Sequence, residues 1–320
     1  MNKPLVEAIN IKKYYCDKSL FKEKRIAAKA LDDVSFDIHK DETLGLVGES
    51  GSGKTTLGKV ILLLEKLSSG KILWNEEDIT FHDENRLLNF RRQMQIIFQD
   101  PFTSLDPKMN VLNLISEGLL NFNTMPKKEI IQKVQEMLTI VGLNPGDIYK
   151  YPHEFSGGQR QRLAIARALI LNPQFIVCDE IVSALDLSIR NKIINLLYDI
   201  KNKLKLSYLF ISHDINLTNM VSDRIIILYA GKIVESFKKD GPIKDKVLHP
   251  YSKFLIEYVP DIKNKRNFTN ITDFSDTPFE EITGCPFYPR CKYFMDKCKK
   301  EFPDKKNINN DHYVVCHLNV

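Results

Sequence analysis

Residues 48–56, "GESGSGKTT", stand between the apolar run Thr43–Val47, "TLGLV", and the apolar stretch "LGKVILLLEKL". The first run reads as a buried strand and the second as a helix packed on a sheet, with a Gly/Ser loop between them. The loop fits G-x-x-x-x-G-K-[ST], and each part of that spacing has a physical duty. Its glycines let the backbone curl so that successive N–H groups face phosphate oxygens, aided by the helix amino terminus. Lys54 supplies positive charge to the outer phosphates, and the Thr55 hydroxyl can ligate Mg²⁺. The expected phosphate-contact set is therefore Gly48, Glu49, Ser50, Gly51, Ser52, Gly53, Lys54, Thr55 and Thr56. An incidental Gly/Ser turn would lack the strand and helix on the correct sides.

Working outward, residues 5–47 are β-rich, and "VSFDIHKDE" alternates before the polar break ahead of the loop. Residues 127–141 place Ile130, Val134, Leu138 and Val141 three or four apart, which predicts a helix with one buried face. "GQRQRLAIARALI" (158–170) predicts another, with Leu163, Ala166 and Leu169 inward. "FIVCD" (175–179) and "YLFISH" (208–213) read as buried strands with a helical stretch between them. "RIIILYAGKIVES" reads as two strands around a glycine turn. The alternation predicts an α/β fold, a mostly parallel sheet flanked by helices. After about residue 236 the pattern loosens into an appended segment.

The 320 residues carry 46 Lys and Arg against 41 Asp and Glu, a modest formal charge of +5. The basic runs at 21–25 and 263–266 read as solvated surface, so no nucleic-acid partner is expected. "VILLL" (60–64) is far too short to cross a bilayer, and "MNKPLVEAIN" is no signal segment. The chain reads as soluble and cytoplasmic, where six cysteines argue for metal or redox chemistry over disulfides. Cys16 and Cys178 read as packing residues.

Two further patterns carry chemistry. Asp179, ending an apolar strand, can hold Mg²⁺, and Glu180 beside it can polarise an attacking water. "SGGQ", Ser156–Gln159, precedes an amphipathic helix: Ser156 is a good N-cap, and Gly157 and Gly158 leave backbone N–H groups bare. That is a second phosphate-binding surface, and one nucleotide does not need two in a single fold. The pair implies two chains head to tail, each nucleotide held between one loop and the other's "SGGQ".

Gly48–Thr55, Gln99 in "IIFQDP", Ser156–Gln159, Asp179–Glu180, "SALD" at Ser183–Asp186 and His213 in "ISHD" occur in this order. Together they resemble the ATP-binding-cassette (ABC) family over residues 5–235. The resemblance implies a P-loop NTPase fold: a RecA-like core with an antiparallel β-subdomain and an α-helical subdomain at about 100–170. It implies ATP and Mg²⁺ as cofactors, with Thr55, Gln99 and Asp179 at the metal. Glu180 would be the general base, His213 would contact the γ-phosphate, and Gln99 would report occupancy to membrane subunits. Ser156–Gln159 would touch the partner's ATP, and Asp186 would couple the two sites. Tyr15 would stack on adenine, with Tyr14 a near-equal candidate. The family usually has proline after the Asp-Glu pair; here Ile181 stands there, softening the loop but removing no ligand.

"DPFTSLDPKMNV", "YPHEFSGGQRQRLAIARALILNP" and "HPYSKFLIEYVP" (249–260) resemble the oligopeptide/dipeptide importer subfamily, which also covers nickel uptake. That resemblance implies an ATPase domain over 1–239 and a C-terminal extension over 240–320. It also implies two membrane permease subunits, a second ATPase, an extracellular substrate-binding protein and a place on the cytoplasmic face of the membrane. A soluble ATPase acting on ribosomes or DNA, and an ATPase for nickel or antimicrobial-peptide transport, are the alternatives. In the tail, Cys285, Cys291, Cys298 and Cys316 are spaced C-x₅-C-x₆-C-x₁₇-C. Without a tight C-x₂₋₄-C knuckle this suits a [4Fe–4S] cluster, as the resemblance also implies, with zinc as the alternative. His312 or His317 could replace one thiol.

Overall fold

The early alternation becomes two long antiparallel strands, Pro4–Cys16 (β1) and Ile26–His39 (β2), with Leu31, Val34 and Ile38 turned into the core. The computed structural model describes residues 3–16, 26–81, 83–122, 125–257 and 283–319, so both basic runs lie outside the described residues. Thr43–Val47 (β3) is buried throughout and feeds the phosphate loop and Lys54–Ile61 (α1). Ser69–Trp74 (β4), Glu77–Asp78 (β5), Glu84–Gln93 (α2) and Met94–Ile97 (β6) follow. Then come Pro101–Ser104 (α3), Val111–Phe122 (α4), Lys127–Ile140 (α5) and Gly157–Leu169 (α6). Phe175–Asp179 (β7), Leu187–Leu204 (α7), Ser207–Ser212 (β8), Ile215–Val221 (α8), Arg224–Tyr229 (β9) and Lys232–Lys238 (β10) restore the alternation. The chain continues through Ile243–Lys246 (α9), Pro250–Glu257 (α10), Asp296–Lys300 (α11), Lys305–Asn309 (β11) and His312–Val315 (β12).

One sheet is antiparallel, in the order β2-β1-β4-β5; the other runs β11-β12-β10-β9-β3-β8-β7-β6, with β9 to β6 parallel. The parallel register pairs Val47 with Ser212 and Ile211 with Asp179. The phosphate loop, the Asp179–Glu180 pair and His213 therefore leave the sheet together, at the carboxyl ends of neighbouring strands, where α/β sheets hold their ligands.

Packing follows the predicted faces. Ile130, Val134, Leu138 and Val141 are buried with Leu163, Ala166 and Leu169 in one cluster with the helices α4 to α7. A second cluster joins the antiparallel sheet to α1 and the parallel strands. The turn between β9 and β10 needs positive φ at Ala230 (45°) and Gly231 (76°), as tight hairpins do.

Two expectations need correction. Cys16 is exposed, so it is no packing residue; Cys178 is fully buried, as expected. The segment after 236 is also no loose appendage. β12 pairs with β10 (Glu235 opposite Val314, Phe237 opposite His312), so the tail extends the main sheet. A third cluster packs Cys285, Phe287 and Cys298 with Tyr251, Phe237 and Ile225. The polar, Lys- and Asn-rich strand β11 hid this hairpin, because as an edge strand it needs little apolar surface.

Candidate functional site: a phosphate loop facing an acidic strand end

Gly53 is the N-cap of α1 with φ 104°, and a Cβ there would lie 2.3 Å from the Ala30 carbonyl oxygen. Only glycine can close the loop onto the helix at this point. Lys54 Nζ donates to the carbonyls of Gly48 (2.7 Å) and Glu49 (2.8 Å) and lies 3.8 Å from Glu180 Oε1. Burial lowers the Lys54 pKa, against the pull of Glu180 and Asp179. Thr55 Oγ1 donates to Asp179 Oδ1 at 3.1 Å.

Glu180 joins these groups to the rest. Its Oε2 accepts from Gln99 Nε2 and faces His213 Nδ1, both at 3.3 Å. The hydrogen bond with His213 lowers the Glu180 pKa and raises that of His213, so the two favour an imidazolium–carboxylate pair. Glu180 has φ 47°, strain held by its N–H to the Ile211 carbonyl and by Ser183 capping its own carbonyl. Ile181, in place of proline, is buried in the helical cluster, so the loop is anchored by packing.

Six expected residues thus meet in one network: Lys54, Thr55, Gln99, Asp179, Glu180 and His213. The fit to Mg²⁺ is chemical, since Asp179 is a buried carboxylate whose pKa burial raises, beside a hydroxyl. Hard oxygen donors of this kind suit Mg²⁺, whose charge would offset the burial cost.

The remaining residues lie apart. Ser156 caps α6 in a reciprocal box with Gln159, Ser156 N–H to Oε1 at 2.9 Å and Gln159 N–H to Oγ at 3.4 Å. A Cβ on Gly158 would strike Ile189 at 2.7 Å, whereas Gly157 faces open space. Among the described residues, none of the hydrogen bonds of Ser156–Gln159 reaches the phosphate loop. Asp186 caps α7 by accepting from the Ile189 N–H. Tyr15 is 40% exposed, with its hydroxyl on Glu65, whereas the Tyr14 hydroxyl is held by Asp32 at 2.5 Å. Tyr15 is therefore the more exposed of the two, with Lys13 Nζ 4.9 Å from the centre of its ring.

Cys285, Cys291, Cys298 and Cys316 line one small cavity together with His249 and His317. Among the described residues, no group of three or more His, Cys, Asp or Glu is arranged to hold a metal ion. What the cavity gathers is a set of four thiols. Burial raises the thiol pKa values of Cys285 (to about 12), Cys291 and Cys316, with neighbouring thiols adding to the rise. A cation would offset that cost. His249, which sequence reasoning passed over inside "HPY", accepts the Tyr251 N–H at Nδ1. Its Nε2 is buried with no partner among the described residues, and burial pushes its pKa down to about 3. A neutral ring with an orphaned N–H suits a site whose acceptor is a bound group. His312 binds Glu235 at 2.9 Å and does not line this cavity.

Comparison with known proteins joins these observations. The sequence model of the ABC transporter family matches residues 31–183, and that of the oligopeptide/dipeptide transporter C-terminal region matches 234–298. The chain is 42% identical to the oligopeptide transport ATP-binding protein AppF of Bacillus subtilis, over 98% of this chain and 97% of that one. This chain belongs to the ABC transporter family. Within it, the chain falls in the oligopeptide/dipeptide transporter branch. It is also 42% identical to OppF of Haemophilus influenzae, over 94% of this chain and 92% of that one. The ATP-binding cassette MJ0796, solved as a dimer in a post-hydrolysis state with ADP and phosphate, aligns at TM-score 0.64. It is 30% identical, covering 74% of this chain and all of that chain. The fold is an ABC ATPase cassette, and the chain is an ABC-type ATPase. Among the described residues, no helix is long and apolar enough to cross a membrane.

Proposed function

We propose that the chain is the ATP-hydrolysing subunit of an importer for oligopeptides or dipeptides, working as a head-to-tail cassette dimer beneath two membrane permease subunits. The observation that carries the chemistry is Glu180, shared among Gln99, His213 and Lys54 beside the Thr55–Asp179 pair. ATP would lie along Gly48–Thr56, with Lys54 leaving its two carbonyls for the outer phosphates. Thr55, Asp179 and Gln99 would hold Mg²⁺, which neutralises charge on the phosphates. Glu180, held as a carboxylate, takes a proton from the attacking water; His213 orients both. Tyr15 offers its ring to adenine. The open Gly157 and the bare N–H groups of Gly157 and Gly158 would serve the partner's nucleotide, and Asp186 would couple the two sites.

Peptide cargo is supported by the full-length likeness to oligopeptide transport proteins, which also favours this reading over a ribosome- or DNA-acting ATPase. Residues 1–239 form the ATPase unit and 240–320 the extension. A cytoplasmic-face, peripheral position and an extracellular binding protein belong to the same reading. Cys285, Cys291, Cys298 and Cys316 would hold a [4Fe–4S] cluster, which here would cross-link the tail.

Reconstitution tests the whole. Vesicles carrying the permeases, this cassette, its sister and the binding protein should accumulate labelled peptide only with MgATP. Uptake indifferent to ATP would refute the assignment.

A further inference from the structure

Glu49, second residue of the phosphate loop, has every polar group engaged. Its carbonyl accepts from Lys54 Nζ, and its N–H donates to the Tyr251 hydroxyl at 2.8 Å. Both terminal nitrogens of Arg290 grip its carboxylate, at 2.6 and 2.8 Å. Two of these three holds come from beyond residue 240, across 202 and 241 positions of sequence. Arg290 directly precedes Cys291, and its guanidinium lies over Phe254 (4.8 Å) and Phe287 (5.8 Å). Phe287 in turn packs on Tyr229 and Tyr251 at 5.3 and 5.4 Å. The Arg290 side chain is only 25% exposed, and a two-pronged, stacked guanidinium fixes direction as well as charge.

We propose that Arg290 is a positioning residue of the phosphate loop, through which the cysteine-bearing tail sets nucleotide affinity. Lys54 is the residue that must move. To reach a phosphate it must release the Gly48 and Glu49 carbonyls; the Glu49 carbonyl then keeps the Ser52 N–H at 3.2 Å, while its N–H and carboxylate stay with Tyr251 and Arg290. These two fix the peptide from which the phosphate-facing amides fan out. Binding energies are reciprocal, so a tail that shapes the loop must itself be steadied by nucleotide. The proposal rests on the phosphate-loop assignment and is independent of any metal at the cysteines.

The test uses the full chain with a non-hydrolysable ATP analogue and Mg²⁺, in the wild type, Arg290→Gln, Arg290→Lys, Glu49→Gln and the Glu49→Gln/Arg290→Gln pair. Affinity is read at equilibrium, and amide hydrogen exchange is followed over residues 284–300. The single variants should bind about tenfold more weakly (about 1.4 kcal/mol). The double variant should bind no worse than the weaker single. Nucleotide should slow exchange over 284–300 in the wild type and not in the variants. Because Glu49→Gln leaves the tail's own residues untouched, it decides the matter even if Arg290→Gln unsettles the tail. Wild-type affinity in Glu49→Gln and Arg290→Gln, additive losses, or wild-type tail exchange unmoved by bound nucleotide would overturn the proposal. A wild type that binds no nucleotide would instead overturn the phosphate-loop assignment beneath it.

Discussion

At Glu180, one carboxylate answers to three partners, and its chemistry depends on remaining ionised. The His213 hydrogen bond is the largest influence lowering its pKa, and it raises His213 above the ordinary 6.5 in return. The sign follows directly. The pair's contribution to stability is complete between the ordinary carboxylate and histidine values, fades as pH rises through the raised His213 value, and is lost as pH falls through the lowered Glu180 one. Glu180→Gln removes the cause, so the His213 midpoint, followed by NMR of the imidazole, should fall towards 6.5; an unmoved midpoint would dissolve the pairing. The same substitution should slow ATP hydrolysis by about 10²–10⁴-fold while nucleotide still binds, and near-normal turnover would remove Glu180 as the base. The meeting of these residues was legible because Gly53, Lys54 and Asp179 stand at positions that few residue types can fill. The contacts of Glu49 were not legible, since they join residues 241 positions apart. Nor was His249, whose orphaned Nε2 appears only once the chain has folded around it.

Among the elements, β10 couples the core to the tail. Glu235 on that strand is fully buried and accepts from the N–H groups of Leu248 (2.7 Å) and His249 (3.1 Å) and from His312 Nε2 (2.9 Å). Removing the carboxylate strands two buried donors and the half-buried Leu248 N–H, so Glu235→Ala should cost about 3 kcal/mol in denaturant unfolding of the full chain. A change within about 0.5 kcal/mol would mean the strand is held by packing alone. The helices and parallel strands were readable from periodicity, as Ile130 to Val141 and Phe175 to Asp179 show. The β11–β12 hairpin was not, because its register depends on β10 rather than on any pattern of its own. The cysteine cavity lies beside it. Protein purified without oxygen should carry about four irons per chain and a brown colour. Stoichiometric zinc in colourless protein would contradict the cluster.

Across the whole molecule, the proposed reading gives one chain two half-sites, which share no hydrogen bond among the described residues. The phosphate loop sits at the carboxyl end of β3, and the capped amino terminus of α6 opens a helix that packs with α4, α5 and α7. On that reading a nucleotide bound to one chain would meet Ser156–Gln159 of another, and closure of two chains over ATP is what the transport cycle would use. The most direct measurement is light scattering of the Glu180→Gln chain with saturating MgATP, alone and mixed with its sister cassette. The account predicts a nucleotide-dependent dimer that disperses when ATP is withdrawn. A chain that remains monomeric under both conditions would contradict it.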